Sequence, residues 1–139
     1  MESELKKHHI GIATKDLNKS IQEYINLGYQ CCNQVFDSHQ QADLVLLIKA
    51  GKPCIELVCA INEHSPVWKT CQTYENKEYH VCYQVKNLQT AIERKKREKW
   101  LQVSEVVYAP LLMGYICFMY NREEGLIELY ELCVSKHDR

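Results

Sequence analysis

The chain repeats itself once, and this repeat constrains the fold more than any other feature of the sequence. A segment that begins at His9 is similar to one that begins at His80, an offset of 71 residues (80 − 9). Near the end of each copy, Ile55-Glu56-Leu57 reappears as Ile127-Glu128-Leu129, an offset of 72 (128 − 56). Because both ends recur at nearly the same spacing, we interpret the chain as a duplicated module that has gained or lost one loop residue.

Each copy is predicted to fold as a βαβββ module. In the first copy, alternating apolar residues indicate an opening strand, and the helix that follows is capped by Asp16 and ended by Gly28. Runs rich in aliphatic and aromatic residues, separated by turn residues, indicate the later strands. The second copy has the same order. The predicted strands span residues 9–13, 29–36, 43–49 and 54–60 in the first copy and residues 79–85, 101–108, 114–120 and 125–132 in the second, whose helix spans residues 88–99.

These elements predict one α+β domain over residues 1–139. Module one spans residues 6–62, a linker spans residues 63–78, and module two spans residues 79–133. If the sheet of each module curls, the face away from its helix is concave. We therefore expect two tandem βαβββ modules that form a curved mixed sheet around a cleft.

Strand alternation directs four polar side chains toward that cleft. Successive residues of a strand face opposite sides of the sheet. The apolar residues that alternate with His9, Glu56, His80 and Glu128 are expected to pack against the helices, so the four polar residues face away from them. Two imidazoles and two carboxylates suit one divalent metal ion such as Zn, Ni, Co, Fe or Mn. The alternative is that each residue is a solvated position on a half-exposed strand.

Charge and composition exclude several other classes of function. The 17 Lys and Arg residues nearly balance the 18 Asp and Glu residues, so no positive field favours nucleic acid or an anionic membrane. We expect no partner of either kind, but a small-molecule substrate. No uncharged apolar run reaches the roughly 18–20 residues of a bilayer span, and the first residues lack the apolar core of a signal peptide. A cytoplasmic location is expected.

The eight cysteines are expected to be free thiols in a reducing compartment. They are about 6% of the chain, fewer than in disulfide scaffolds, and no Cys-x-x-Cys spacing indicates a zinc knuckle. Most stand among apolar residues, where a free cysteine acts as a small hydrophobic side chain.

The motifs that carry the repeat resemble those of the vicinal oxygen chelate superfamily, which includes glyoxalases, bleomycin-resistance proteins and dioxygenases. They are the strand at residues 9–17, the strand at residues 79–85 and the ending at residues 125–129. Within the superfamily the pattern is most similar to methylmalonyl-CoA epimerases, and the likeness covers residues 6–133. The resemblance implies paired βαβββ modules around a metal, the glyoxalase-like fold, with His9, Glu56, His80 and Glu128 as ligands.

The resemblance also implies a reaction. A bound metal would stabilise an enolate or oxyanion formed from a small carbonyl compound or an acyl-CoA thioester, as in isomerases, epimerases and lyases. Glu56 and Glu128 are then the candidate catalytic carboxylates. The epimerases carry a further glutamate on the third strand, where this chain has Val45. Asp43 has the same strand parity and is a candidate substrate-binding residue.

Two further residues are candidates for substrate contact, and two further functions stay open. Cys82 shares the strand parity of His80, and Tyr115 lies on a late strand; core packing is the alternative for each. The absence of the third-strand glutamate favours an alternative function, that of a non-enzymatic ligand-binding or drug-binding protein of the same fold. Two His and one carboxylate would also suit an Fe(II)-dependent oxygenase. Modules of this superfamily pair within or between chains, so a homodimer is allowed.

Overall fold

The protein consists of two compact units in the structure, a computed structural model that describes residues 5–73 and 76–133. Of these, residues 9–73 and 76–79 form the first-repeat unit, and residues 5–8 together with 80–133 form the second-repeat unit. Both contain helices packed on a mixed sheet, so the predicted α+β class is confirmed. Within the described residues no helix exceeds ten residues, and none is long and apolar enough to cross a bilayer.

The first-repeat unit has the predicted βαβββ order, followed by a short helix. Its strands lie in the order β2-β3-β4-β1, and β1 runs parallel to β4. The strand β1 belongs to this unit from His9 onward. The elements are β1 (Lys6–Ala13), α1 (Leu17–Asn26), β2 (Gln30–Asp37), β3 (Ala42–Ile48), β4 (Cys54–Ala60) and α2 (Trp68–Thr73).

The second-repeat unit repeats this plan with one strand divided in two. Its strands lie in the order β5-β9-β8-β6, β7 also pairs with β8, and β5 runs parallel to β9. The strand β5 belongs to this unit from His80 onward. The elements are β5 (Lys77–Gln84), α3 (Leu88–Arg97), β6 (Leu101–Gln102), β7 (Val107–Ala109), β8 (Gly114–Asn121) and β9 (Gly125–Leu132).

Equivalent caps start the long helix of each unit. The Asp16 side chain accepts a hydrogen bond from the Lys19 N–H (3.1 Å), and the Asn87 side chain accepts one from the Thr90 N–H (2.8 Å). Each cap satisfies one of the N–H groups that the first helical turn leaves without a partner. Gly28 follows α1 with φ +100°, a conformation that glycine adopts without strain. The predicted cap and end of α1 are therefore confirmed. The helix predicted over residues 88–99 ends at Arg97, and α2 lies in the segment predicted as a linker.

Each long helix packs on one face of its own sheet. In the first-repeat unit the helix-facing side chains of the sheet include Ile12, Val45 and Leu57, which meet apolar residues of α1. In the second-repeat unit Met119 and Leu129 meet Leu88 and Ile92 of α3 in the same way. The predicted alternation is confirmed, and it leaves the opposite face of each sheet to the polar residues.

The predicted single strand over residues 101–108 is interrupted in the structure. Between β6 and β7, the Ser104 hydroxyl accepts the Phe118 N–H at 2.8 Å, while the Val103 N–H donates to the Phe118 carbonyl at 2.9 Å. A side-chain oxygen thus replaces a backbone carbonyl in the ladder, as serine can do in irregular segments. The strand breaks there, although residues on both sides still pair with β8.

All eight cysteines are free, as predicted, but they differ in their surroundings. Cys71, Cys82 and Cys117 are buried, and burial raises the pKa of the Cys71 and Cys117 thiols. Cys31, Cys32 and Cys133 are exposed, so the interpretation of most cysteines as core residues was too broad. The adjacent pair lies on β2, whose ladder shifts register between Cys31 and Asn33.

Removal of the Ser104 hydroxyl tests how the divided strand is held. We expect Ser104→Ala to lower the free energy of unfolding by about 1–2 kcal/mol, because the Phe118 N–H loses its acceptor. Urea denaturation measures the change. Ser38→Ala, in an exposed turn, is the matched control and is expected to stay within about 0.5 kcal/mol of the wild type. Equal stability of both variants would contradict this account of the break.

Candidate functional site

In the first-repeat unit, the parallel strands β1 and β4 bring an imidazole and a carboxylate together. Gly11 lies directly opposite Glu56 in the ladder, and His9 precedes Gly11 by two residues on the same face. The His9 Nε2 atom is 3.4 Å from the Glu56 Oε1 atom. His9 is fully buried and Glu56 is 3% exposed, so the pair is shielded from water.

The second-repeat unit builds the same pair from β5 and β9. Cys82 lies directly opposite Glu128, and His80 precedes Cys82 by two residues. The His80 Nε2 atom is 3.0 Å from the Glu128 Oε1 atom, and both side chains are buried. The repeat therefore reproduces a three-dimensional arrangement as well as a motif.

Burial makes these pairs energetically demanding. A carboxylate taken out of water loses several kcal/mol of hydration, which only charge pairing, hydrogen bonding or metal coordination restores. An adjacent imidazole supplies part of this compensation in each unit. Two such pairs at equivalent positions indicate a requirement other than stability, because apolar residues of similar volume would fold at least as well.

The third strand of the first-repeat unit presents leucines, not an acid, beside Glu56. Leu46 lies directly opposite Glu56 across β3 and β4, and Leu44 shares its face. Val45 instead packs in the cluster that faces α1. Asp43, two residues away, lies on the same face as Val45 and opposite Cys59. The structure thus places Asp43 on the side of the sheet away from Glu56.

The remaining two candidates for substrate contact are placed differently from each other. Cys82 lies on the His80 face of β5, where it packs with Ile116 and Tyr130. Tyr115 is 45% exposed and pairs with Glu131, and its ring meets Tyr108 edge to face at 5.4 Å. Strand alternation puts Tyr115 on the opposite face of β8 from the Glu128 side. Cys82 therefore stays beside the pair, and Tyr115 does not.

Phe118 is a site residue that the sequence analysis missed. It lies directly opposite Glu128 across β8 and β9, and its ring is 5.3 Å from the His80 ring at an interplanar angle of 85°. The alternation of the core residues Cys117 and Met119 carried the signal, because it assigns Phe118 to the other face.

The Cys59 thiol on β4 is a poor candidate for a nucleophile. Burial, followed by the nearby Cys71 thiol, raises the pKa of the Cys59 thiol. Cys59 also lies on the helix-facing side of β4, opposite Asp43 and away from Glu56. A raised thiol pKa leaves little thiolate at neutral pH. Cys59 is therefore excluded as a nucleophile at the Glu56 face.

Each pair fits two neighbouring positions on a divalent ion. Imidazole nitrogen and carboxylate oxygen bind zinc at about 2.0–2.2 Å, which places neighbouring ligand atoms roughly 3.3–3.6 Å apart in a tetrahedral site and roughly 2.8–3.1 Å apart in an octahedral one. The separations inside the two pairs are 3.4 Å and 3.0 Å. The donor types and their spacing thus suit a metal.

Comparison with known proteins gives one family and a set of similar folds. The sequence profile of the glyoxalase/bleomycin resistance protein/dioxygenase superfamily matches residues 8–118. No curated protein matches the sequence significantly.

Three solved structures illustrate the structural likeness. The methylmalonyl-CoA epimerase of Mycobacterium tuberculosis is 23% identical, with 93% of this chain and 89% of that one covered at a TM-score of 0.84. A hypothetical protein of Bacillus halodurans is 23% identical, with 94% of this chain and 96% of that one covered at a TM-score of 0.83. A Streptomyces coelicolor methylmalonyl-CoA epimerase variant in complex with 2-nitronate-propionyl-CoA is 18% identical. The comparison covers 94% of this chain and 99% of that one at a TM-score of 0.82. These identities show the fold alone, and they confirm the predicted glyoxalase-like fold.

A double-mutant cycle tests whether the buried pair in the second-repeat unit interacts. In metal-free protein, Glu128→Leu is expected to lower the free energy of unfolding by about 3–5 kcal/mol, because the desolvated His80 loses its partner. Adding His80→Leu should restore part of this loss. We expect a coupling free energy of at least about 1 kcal/mol from urea denaturation.

The partly exposed ion pair of Lys95 and Glu98, 3.9 Å apart, is the control. Its cycle with alanine is expected to give at most about 0.5 kcal/mol. Additive effects of the two substitutions at His80 and Glu128 would show that the buried side chains act independently.

Proposed function

The chain belongs to the glyoxalase/bleomycin resistance protein/dioxygenase superfamily, and from this premise we propose that it is a metal-dependent enzyme of the isomerase, epimerase or lyase type. Its substrate is a small carbonyl compound or an acyl-CoA thioester, as for methylmalonyl-CoA epimerases. The observation that carries the proposal is the buried imidazole–carboxylate pair, which recurs at equivalent positions of both units.

In this proposal His9, Glu56, His80 and Glu128 together hold one divalent ion, with Zn, Ni, Co, Fe and Mn as candidates. The duplication in the sequence and the ligand spacing inside each unit support the assignment. When bound, the ion would supply Lewis-acid stabilisation of negative charge that develops on a substrate oxygen.

Glu56 and Glu128 are the proposed catalytic carboxylates. The side chains of β3 on the Glu56 face are those of Ala42, Leu44, Leu46 and Ile48, so this strand supplies no further acid there. One carboxylate oxygen then removes the proton from the carbon next to the substrate carbonyl. For an epimerisation, inversion needs a proton donor on the opposite face of that carbon. The other glutamate would have to leave the ion and carry a proton to fill this role, because a carboxylate that ligates a metal is deprotonated.

The fold neighbours support an acyl-CoA as the substrate class. A Streptomyces coelicolor methylmalonyl-CoA epimerase binds 2-nitronate-propionyl-CoA, and another epimerase structure contains methylmalonyl-CoA. An acyl thioester has an acidic α-carbon, which suits proton transfer by a carboxylate. Methylmalonyl-CoA is therefore the first substrate to assay.

The aliphatic face of β3 favours a second candidate, a ligand-binding protein without catalysis. Leu44 and Leu46 stand on the Glu56 face and would suit an apolar ligand better than a proton transfer. This candidate requires ligand binding that survives removal of the metal. The enzyme requires metal for its reaction, so the two candidates are separable.

Metal analysis tests the ligand assignment. We expect the purified chain, reconstituted with Zn²⁺ and desalted, to retain about one ion per chain by mass spectrometry of the metal. His9→Ala and His80→Ala should each weaken binding by at least about tenfold, because each removes one ligand nitrogen. His39→Ala, at an exposed turn residue, is the matched control. Full zinc content in His80→Ala would contradict the assignment.

Hydrogen–deuterium exchange at the α-carbon tests the reaction. Incubated with methylmalonyl-CoA in D₂O, the metal-loaded chain is expected to incorporate deuterium, which NMR detects. Glu128→Gln should slow the exchange by about 10²-fold or more, because the amide cannot accept the proton. Glu123→Gln, an exposed turn residue, should exchange as the wild type does. Apolar-ligand binding without metal, together with no exchange, would favour the second candidate.

A further inference from the structure

The residue opposite the glutamate on the antiparallel side differs between the two buried pairs. Phe118 and Leu46 are equivalent by the repeat, since they are 72 residues apart (118 − 46), the same offset as Glu56 and Glu128. Each lies directly opposite the glutamate of its own unit across an antiparallel ladder. The two positions share one scaffold, yet one carries an aromatic ring and the other an aliphatic chain.

The ring of Phe118 reaches across the strand that carries Glu128. His80 on β5 and Phe118 on β8 flank β9, so their backbones are separated by two strand spacings, roughly 10 Å. The ring centroids are nevertheless 5.3 Å apart and nearly perpendicular. The two side chains therefore lean toward each other over β9, in the edge-to-face arrangement that aromatic rings favour.

The backbone of Phe118 is fixed on both sides. Its N–H donates to the Ser104 hydroxyl, its carbonyl accepts from the Val103 N–H, and β9 pairs with it on the other edge. A ring on such a backbone has few alternatives to its observed position, especially as Phe118 also packs beside Ile116 and Tyr130. It is a rigid surface against which the His80 imidazole rests.

We propose that Phe118 is a positioning residue that holds His80 in the orientation in which Nε2 faces Glu128. The inference rests on the proposed metal site and deepens it. The His80–Glu128 half of the ligand set is pre-organised by an aromatic contact. The His9–Glu56 half has Leu46 at the equivalent position, and a leucine offers no ring to orient an imidazole.

The two pairs also differ in the separation of their ligand atoms. The Nε2–Oε1 distance is 3.0 Å beside Phe118 and 3.4 Å beside Leu46. A ligand that is already oriented loses less conformational freedom on binding a metal, so removing its support weakens binding even though no ligand atom is lost. Phe118 should therefore contribute to metal affinity more than its counterpart Leu46 does.

Titration calorimetry with Co²⁺ tests the proposal on the full chain. Phe118→Leu places the first-repeat residue in the second unit and is expected to weaken Co²⁺ binding by about tenfold. Phe118→Tyr keeps the ring and should restore affinity to within about threefold of the wild type, which a purely structural role would not require. If Phe118→Leu does not fold, Phe118→Met, similar in volume but without a ring, replaces it.

The matched control is Leu46→Ala, which removes volume at the equivalent position of the other unit. Its Co²⁺ affinity should stay within about threefold of the wild type, since no ring contact is lost. An equal loss of affinity in Leu46→Ala and Phe118→Leu would overturn the proposal, because volume rather than the ring would then explain both.

An NMR measurement on metal-free protein examines the contact directly. The aromatic ring of Phe118 should displace the carbon-bound proton signals of the His80 imidazole, and Phe118→Leu should abolish this displacement while Phe118→Tyr keeps it. A wild type that does not bind Co²⁺ overturns the proposed function together with this inference. Wild-type binding with unchanged affinity in Phe118→Leu overturns this inference alone.

Discussion

Each buried carboxylate must be kept in contact with an imidazole, and the sheet faces that carry His9 with Glu56 and His80 with Glu128 depend on this constraint. Each unit meets it by running its first strand parallel to its last, so that a glutamate lies beside a histidine from the other end of the module. A parallel pair requires a long crossover connection, and the helix and two or more strands between the paired strands supply it. The same connection provides the apolar layer that covers the opposite face.

The two faces of each sheet differ in character because successive residues of a strand face opposite sides. One face of each sheet meets a helix through aliphatic residues, and the other carries the polar pair. A register shift of one residue would exchange the two faces of a strand. It would bury a charged side chain against the helix, which is costly without a partner. The duplicated module thus keeps its pattern because packing and charge placement depend on the same period of two residues.

The two copies have diverged where the repeat allows it, next to the pairs. Gly11 and Cys82 lie opposite the two glutamates on the parallel side, and Leu46 and Phe118 lie opposite them on the antiparallel side. These four positions surround the carboxylates without being needed to hold them. Differences there alter the shape and rigidity of the surroundings of each pair.

The sequence by itself determined the duplication, the order of the helices and most strands, and the face on which His9, Glu56, His80 and Glu128 lie. These properties follow from local periodicity and from the repeat, which need no knowledge of how strands align. Only the tertiary structure decided that Leu46 rather than Val45 or Asp43 stands beside Glu56, that Ser104 divides a strand, and that Phe118 meets His80. These facts depend on register between strands, which turn geometry and long-range packing set, and a shift of one residue reverses every assignment of a face.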